Sequence, residues 1–426
     1  MKKMFSTLLL SSVLILSACQ SGNDSGEGSG ESAGQVTLKV LSSDDFADFR
    51  GGVIDEFEKQ NPDIKIDMES VAYDQLHDKE IASFNSGSSG GYDVVDVDEI
   101  WTAEYAEGAF IKDVSDNLTE DMKSGILESG LNITKYNDKY YGLPMFNDVL
   151  FFYYNEDLLK QAGYDAPPAT WDEFVEMSKA LQDKGLVDGK ASNWGFSANE
   201  GLVCYFTEFL GSHGGQYMDE QGNIVFNNEQ GQQALQFMVD MMGKHGVVDS
   251  SAVSANDRQI LDSFKEGKTA FVSGWSFYWG ELNSDDSPVK DKIKVALTPG
   301  ANGTESSTAT GSMYLGVSQQ SEHPEEAWKF IEFLASKDIQ KQQSTEAGSL
   351  PIWSDLYTDA DLTGSNPQFE NMGKQLEHTL SRPSLVNYNE FSKTLQNELQ
   401  AALIGDKSPK EALDAAAAKA EELKQQ

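Results

Sequence analysis

The hydrophobic pattern of residues 36–97 changes period repeatedly, and no other feature of the chain limits its fold as tightly. Residues 36–41 form an apolar-rich run that predicts a strand. Phe46, Phe49, Val53, Ile54 and Phe57 then recur at helical spacing, and Asn61-Pro62 stops the helix. Ile64, Ile66 and Met68 alternate with polar residues, as a half-buried strand requires. A helix near 74–84 and an apolar strand over 92–97 complete a βαβαβ order. That order predicts an α/β fold with a parallel sheet and right-handed crossovers. Ligands of such sheets bind in the crevice at the carboxyl ends of the strands. Residues 42–45, 73–74 and 96–101 are therefore the places to look for a site.

A second α/β unit is expected to begin near Val149, with a strand over 149–154 and a short helix over 156–162 closed by Gly163. Thr170 and Glu173 stand three residues apart, so each side chain can satisfy the other's free backbone N–H in a capping box. Amphipathic helices are expected over 201–211, 229–242, 324–336, 367–380 and 389–403. A last one opens at Ser408-Pro409-Lys410-Glu411, a second capping box with Pro in the first turn. From Val36 on, the chain is long enough for one large or two medium domains. Its 22 Phe, 15 Tyr and 7 Trp can fill a substantial core.

Residues 1–18 read as an export signal. Lys2 and Lys3 precede a short apolar stretch, 8–16, too short to span a bilayer. The stretch ends at Leu16-Ser17-Ala18-Cys19, which resembles a bacterial lipobox and implies lipid attachment at Cys19. Residues 19–35 are then a Ser/Gly/acid-rich tether with no apolar periodicity. No later stretch is apolar enough for a membrane helix, so the lipid would be the membrane anchor. The other cysteine, Cys204, lies in an apolar run and reads as a small buried side chain. The formal net charge of −37 argues against nucleic acid, whose phosphates require clustered Lys and Arg.

Catalytic signatures are absent. There is no phosphate loop and no G-x-G-x-x-G, and Gly274-Trp275-Ser276-Phe277-Tyr278 lacks the closing Gly of a nucleophile elbow. His77, His213, His245, His323 and His378 are too far apart in sequence for metal-ligand spacing. Residues 219–228 lack the glycine position of a calcium loop and read as a turn. No metal and no cofactor is expected. Carboxylates are so abundant that nominating a glycosidase pair carries no weight without geometry.

Several stretches in order resemble the family 1 extracellular solute-binding proteins of carbohydrate ABC importers. They are 92–101 (YDVVDVDEIW), Tyr141-Gly142-Leu143-Pro144 with 152–159, and 168–174 (PATWDEF). After them come 264–271 (FKEGKTAF) with Gly274-Trp275, then 324–330 (PEEAWKF), and Gly348-Ser349-Leu350-Pro351. Residues 199–204 (NEGLVC), Arg382-Pro383 and 402–405 (ALIG) resemble the trehalose/maltose branch. The resemblance implies a two-lobed periplasmic-binding-protein-like fold of type II, with a hinge and a ligand in the interlobe cleft. It implies an N-terminal lobe of 36–147 plus 298–348 and a C-terminal lobe of 148–297 plus 349–426. The chain would act without enzymatic activity as a monomer, capturing a small carbohydrate and delivering it to the permease subunits of an ABC transporter.

A pyranose offers C–H groups on one face and hydroxyls around its rim. Aromatic rings cover the first, and charged side chains hydrogen-bond the second. Carried over by motif, Asp98 belongs to the first lobe's rim and Asp148 just past the hinge. Trp275 is the stacking platform, and Arg382 reaches a hydroxyl. Asp44 or Asp45 and Glu200 complete the polar set. Two departures make the pocket less polar: Ser312-Met313 stand where the branch has Gly-Trp, and Phe146 and Phe277 stand where it has tyrosines. Alternative ligands are a glucosylated osmolyte or a polyol, and the alternative class is an extracellular glycoside hydrolase.

Overall fold

The computed structural model describes residues 34–43, 47–87, 91–301 and 303–425. The signal peptide, the lipidation at Cys19, Asp44 and Asp45 lie outside them. Residues from Val36 onward form one compact unit.

Strands β1 (Val36–Ser43), β2 (Ile64–Val71) and β3 (Val94–Asp98) follow the expected βαβαβ order, and β1 runs parallel to both of the others. A hairpin of β4 (Lys135–Tyr136) and β5 (Lys139–Tyr140) precedes the short β6 (Leu143–Pro144). A second set comprises β7 (Phe151–Asn155), β8 (Ser192–Asn193), β9 (Phe271–Gly274) and β10 (Ile293–Ala296). Then come β11 (Thr308–Ala309), β12 (Met313–Val317) and β13 (Thr379–Leu380).

The first sheet has the order β2-β1-β3-β12-β6 and the second β10-β7-β9-β8. Every residue of β3 is buried, its two aspartates included, as befits a central strand flanked by strands and helices. The sheet is not wholly parallel: β12 enters antiparallel to β3 and to β6. It arrives from the second sheet rather than through a crossover helix, so the handedness rule for parallel units does not govern it. Helix Pro324–Leu334 returns over the first sheet, where Phe330 meets Phe57 edge-on at 5.0 Å.

In the second sheet, Phe152 of β7 and Phe271 of β9 stack at 5.5 Å and pack on Phe174. Phe174 belongs to helix Trp171–Asp183, which opens with the expected Thr170/Glu173 capping box. Helix Glu200–Ser212 is buried along its whole length from Leu202 to Ser212, so it is a core helix rather than a surface one. The helix expected over 367–380 is shorter, Phe369–Gln375, and gives way to β13. Gln375 accepts from the Thr298 N–H at 2.8 Å and donates to the His378 carbonyl at 3.1 Å. The Thr298 contact comes from another part of the chain, and beyond His378 the backbone pairs with β11 instead of continuing the helix.

Three segments run side by side between the two sheets. Residues 145–150 leave the first for the second, and 297–312 return. The two are joined by Leu150 N–H to the Ala309 carbonyl (3.1 Å) and Gly311 N–H to the Asp148 carbonyl (2.9 Å). The third lies at Leu350-Pro351, where the Leu350 carbonyl accepts from Asn147 N–H at 3.0 Å and the Pro351 carbonyl from Asn147 Nδ2 at 2.9 Å.

Candidate functional site

The carboxyl end of β3 turns directly into a short 3-10 helix, Glu99–Trp101. Asp98 caps it by accepting from the Ile100 N–H at 3.2 Å, and its other oxygen accepts from the Tyr73 hydroxyl at 2.7 Å. Tyr73 in turn stacks on Trp101, with centroids 5.9 Å apart. Burial, then the nearby Asp98 charge, holds the Tyr73 hydroxyl well above its ordinary range, so it stays a donor.

From the second sheet's side comes the start of helix Glu200–Ser212, capped by Asn199. Glu200 occupies its first turn, where free N–H groups favour an anion. Its carboxylate accepts from the Tyr388 hydroxyl (2.5 Å), the Ser392 hydroxyl (2.5 Å) and Gln396 Nε2 (3.5 Å).

Arg382, just after β13, joins the two walls. Its Nη1 lies 2.9 Å from Glu200 Oε1, and its Nη2 lies 3.2 Å from Asp98 Oδ1 and 3.3 Å from Glu99 Oε1. The Arg382 side chain is 2 % exposed and that of Glu99 5 %. One guanidinium thus faces three carboxylates, and burial raises the Glu99 carboxyl to about 7. Thr310 donates to Glu99 at 2.7 Å.

A second group surrounds Trp275. The ring is partly buried, and its N–H donates to Asp257 at 3.2 Å. It lies so close to Gly311 that a Cβ there would sit 2.3 Å from the indole. Asp148 Oδ1 accepts from Val149 N–H (2.9 Å) and Ser276 N–H (3.0 Å), and burial raises its carboxyl to about 7. Phe277 is 44 % exposed and meets Tyr278 edge-on.

Residues 310–313 link the two groups. Thr310 reaches Glu99, Gly311 lies under Trp275, Ser312 Oγ accepts from Asp148 N–H at 2.8 Å, and Met313 pairs with Asp98 in the sheet. Asp98, Asp148 and Trp275 therefore meet one segment, of which Met313 is part, and Arg382 and Glu200 are linked to it through Glu99. Asp98 and Asp148 are buried rather than on a rim, and Met313 is buried in its strand. Phe277 lies beside the cluster on the exposed side of the same turn. Sequence reasoning placed Tyr73 and Glu99 in the segments expected to hold the site without giving either a role, and it missed Asp257 and Thr310. A carboxylate inside the apolar run VVDVDEIW was the available signal for Glu99; Thr310 carried none.

A groove of about 860 Å³ lies elsewhere, lined by Thr170, His213, Gln232, Gln236, Lys244 and Lys410 among others. None of the residues converging on 310–313 borders it. Among the described residues no His, Cys, Asp or Glu cluster is arranged to hold a metal ion. Chemically, the 310–313 cluster supplies charged donors and acceptors together with an indole. This set suits a polyhydroxylated ligand.

Residues 42–341 match the family model described as bacterial extracellular solute-binding protein. A probable ABC transporter-binding protein of Deinococcus radiodurans is 26% identical over 82% of this chain and 83% of its own length. The arabinooligosaccharide-binding protein of Bacillus subtilis is 25% identical over the full length of both. Among solved structures, maltose-bound MalE3 of T. maritima superposes with a TM-score of 0.83 at 31% identity, covering 91% of this chain and 100% of that one. The fold is thus the two-lobed α/β fold of such binding proteins, and the chain belongs to the bacterial extracellular solute-binding protein family.

Proposed function

We propose that this protein captures a small neutral carbohydrate, an α-glucosidic disaccharide such as trehalose or maltose, for an ABC importer. The observation that carries the reading is the grouping of Asp98 and Trp275 against residues 310–313, with Arg382 and Glu200 linked to that segment through Glu99, between two sheets joined by three strand-like segments. Such a hinge permits rigid-body closure on a ligand. Charged hydrogen-bonding groups beside an aromatic ring are what a sugar's rim and face require. The maltose-bound and arabinooligosaccharide-binding relatives support a saccharide ligand.

In this reading the lobes divide as 36–147 plus 298–348 and 148–297 plus 349–426. Cys19 carries a lipid that tethers a monomeric receptor outside the membrane. The loaded form docks on the permease subunits, and no reaction is catalysed. Three of the site's carboxylates, Asp98, Glu99 and Glu200, share one arginine, which suits holding a ligand more than proton transfer. A glycosidase instead needs one free acid and one free base or nucleophile across the bond.

A thermal-shift screen of the chain from Gln35 onward tests the assignment. The panel is maltose, trehalose, arabinooligosaccharides and a set of polyols. A ligand in hundredfold excess over Kd adds about 2.7 kcal/mol to the folded state, which a melting curve resolves. A shift with a disaccharide is the expected result. A shift with polyols alone would replace the sugar assignment, and turnover of a chromogenic glucoside would overturn the binding-protein reading.

A further inference from the structure

Two atoms of the arginine cluster have no hydrogen-bond partner. Glu99 Oε2 and Arg382 Nε are both buried, and neither is paired among the described residues. Buried polar atoms are almost always paired, because an unpaired one forfeits the hydrogen bond it would make in water. Here one orphan is an acceptor and the other a donor. They belong to side chains already in contact through Glu99 Oε1 and Arg382 Nη2, 3.3 Å apart.

A single ligand group that answers both must donate to Glu99 and accept from Arg382. A carboxylate or phosphate would satisfy the arginine but face Asp98, Glu99 and Glu200. An ammonium would satisfy Glu99 but face the guanidinium. A hydroxyl donates and accepts at once. We infer that Glu99 contacts the bound ligand and, with Arg382, clasps one sugar hydroxyl, so that this pair selects for that hydroxyl. The inference rests on the carbohydrate reading above.

Position supports it. Glu99 follows the last residue of β3, at the carboxyl edge where ligands of such sheets bind. It lies where the walls meet, tied to Thr310 on one side and Arg382 on the other. Burial, the chief influence on its carboxyl, disfavours the charged form in the present arrangement. A donor from the ligand would favour the charged form. A site built to bond one hydroxyl also rejects analogues that lack it, because its own groups are then stranded.

Calorimetric titration of the wild-type chain and Glu99→Gln tests this. Maltose, trehalose and arabinobiose come first, followed by monodeoxy derivatives of whichever binds most tightly. Glu99→Gln is expected to weaken the parent sugar about 10- to 100-fold. One monodeoxy derivative should lose at least about tenfold against the wild type yet bind the variant nearly as its parent does. Glu99→Asp keeps the charge but shortens the reach, and it should lose the same discrimination. It serves as the second variant if the amide fails to fold. If both variants keep wild-type affinity and selectivity, Glu99 has no ligand role and the carbohydrate reading stands. If no sugar binds the wild type, both fall.

Discussion

Around Arg382 the energetics are those of a buried ion cluster. Taking a guanidinium and the Asp98 and Glu99 carboxylates out of water costs roughly what the attraction within the cluster returns, so such clusters add little net stability. They fix geometry, and removing one partner is expensive. Arg382→Ala would leave Asp98 and Glu99 buried without a counter-charge, since their side chains are only 6 % and 5 % exposed. We expect a loss of about 3–5 kcal/mol in unfolding free energy, read from urea denaturation midpoints. An unchanged midpoint would mean that the carboxylates do not depend on the arginine. Asp98, Glu200 and Arg382 were legible in the sequence through the motifs that hold them, although nothing there showed that one guanidinium joins them. Glu99 was legible by position only, in the segment after β3, because in a buried strand-to-helix turn a carboxylate looks the same whether it caps, pairs or waits for a ligand.

At the scale of elements, local signals did most of the work. The capping boxes at Thr170/Glu173 and Ser408/Glu411 begin helices where expected, and Gly163, at φ +93°, ends one in the left-handed conformation. Pairings made at long range were not legible. The antiparallel entry of β12 and the conversion of 379–380 into β13 depend on contacts with segments far away in sequence. Buried carboxyls on these elements also set the pH response. Burial raises Glu208, on helix Glu200–Ser212, to about 8, where Ser273 and Thr298 donate to it. Burial raises Asp148 and Glu99 to about 7. In the unfolded chain all three titrate near the ordinary value of about 4. Between those limits the folded state holds more protons, so stability is greatest on the acid side and falls as pH rises through about 7 to 8. The formal charge of −37 acts in the same direction, because deprotonation adds repulsion. Calorimetric melting temperature should therefore be higher near pH 5.5 than near pH 8.5, with a shallower slope in Glu208→Gln. A melting temperature that rises toward alkaline pH would contradict this assignment of the buried protons.

At the scale of the molecule, two sheets share three connecting segments, and the cluster on 310–313 lies among them. Segment 297–312 carries Thr310 and Gly311 from the second sheet to the first, and Asp148 ties its neighbour 145–150 to the Trp275 turn. A hinge of this kind allows each sheet to move as a body while the residues at its base keep their partners. Under the proposed function, ligand binding and lobe closure are one event: the ligand stabilises the closed arrangement by what it gains there and not in the open one. Where the ligand sits decides between this site and any other. The most direct test is a crystal structure of the complex with the tightest-binding sugar of the panel. The predicted result is a sugar lying between the end of β3 and the start of helix Glu200–Ser212, with a hydroxyl within hydrogen-bond distance of Arg382 and a ring face on Trp275. A sugar in the groove lined by Thr170, Gln232 and Lys410, with Arg382 still held by its three carboxylates, would contradict it.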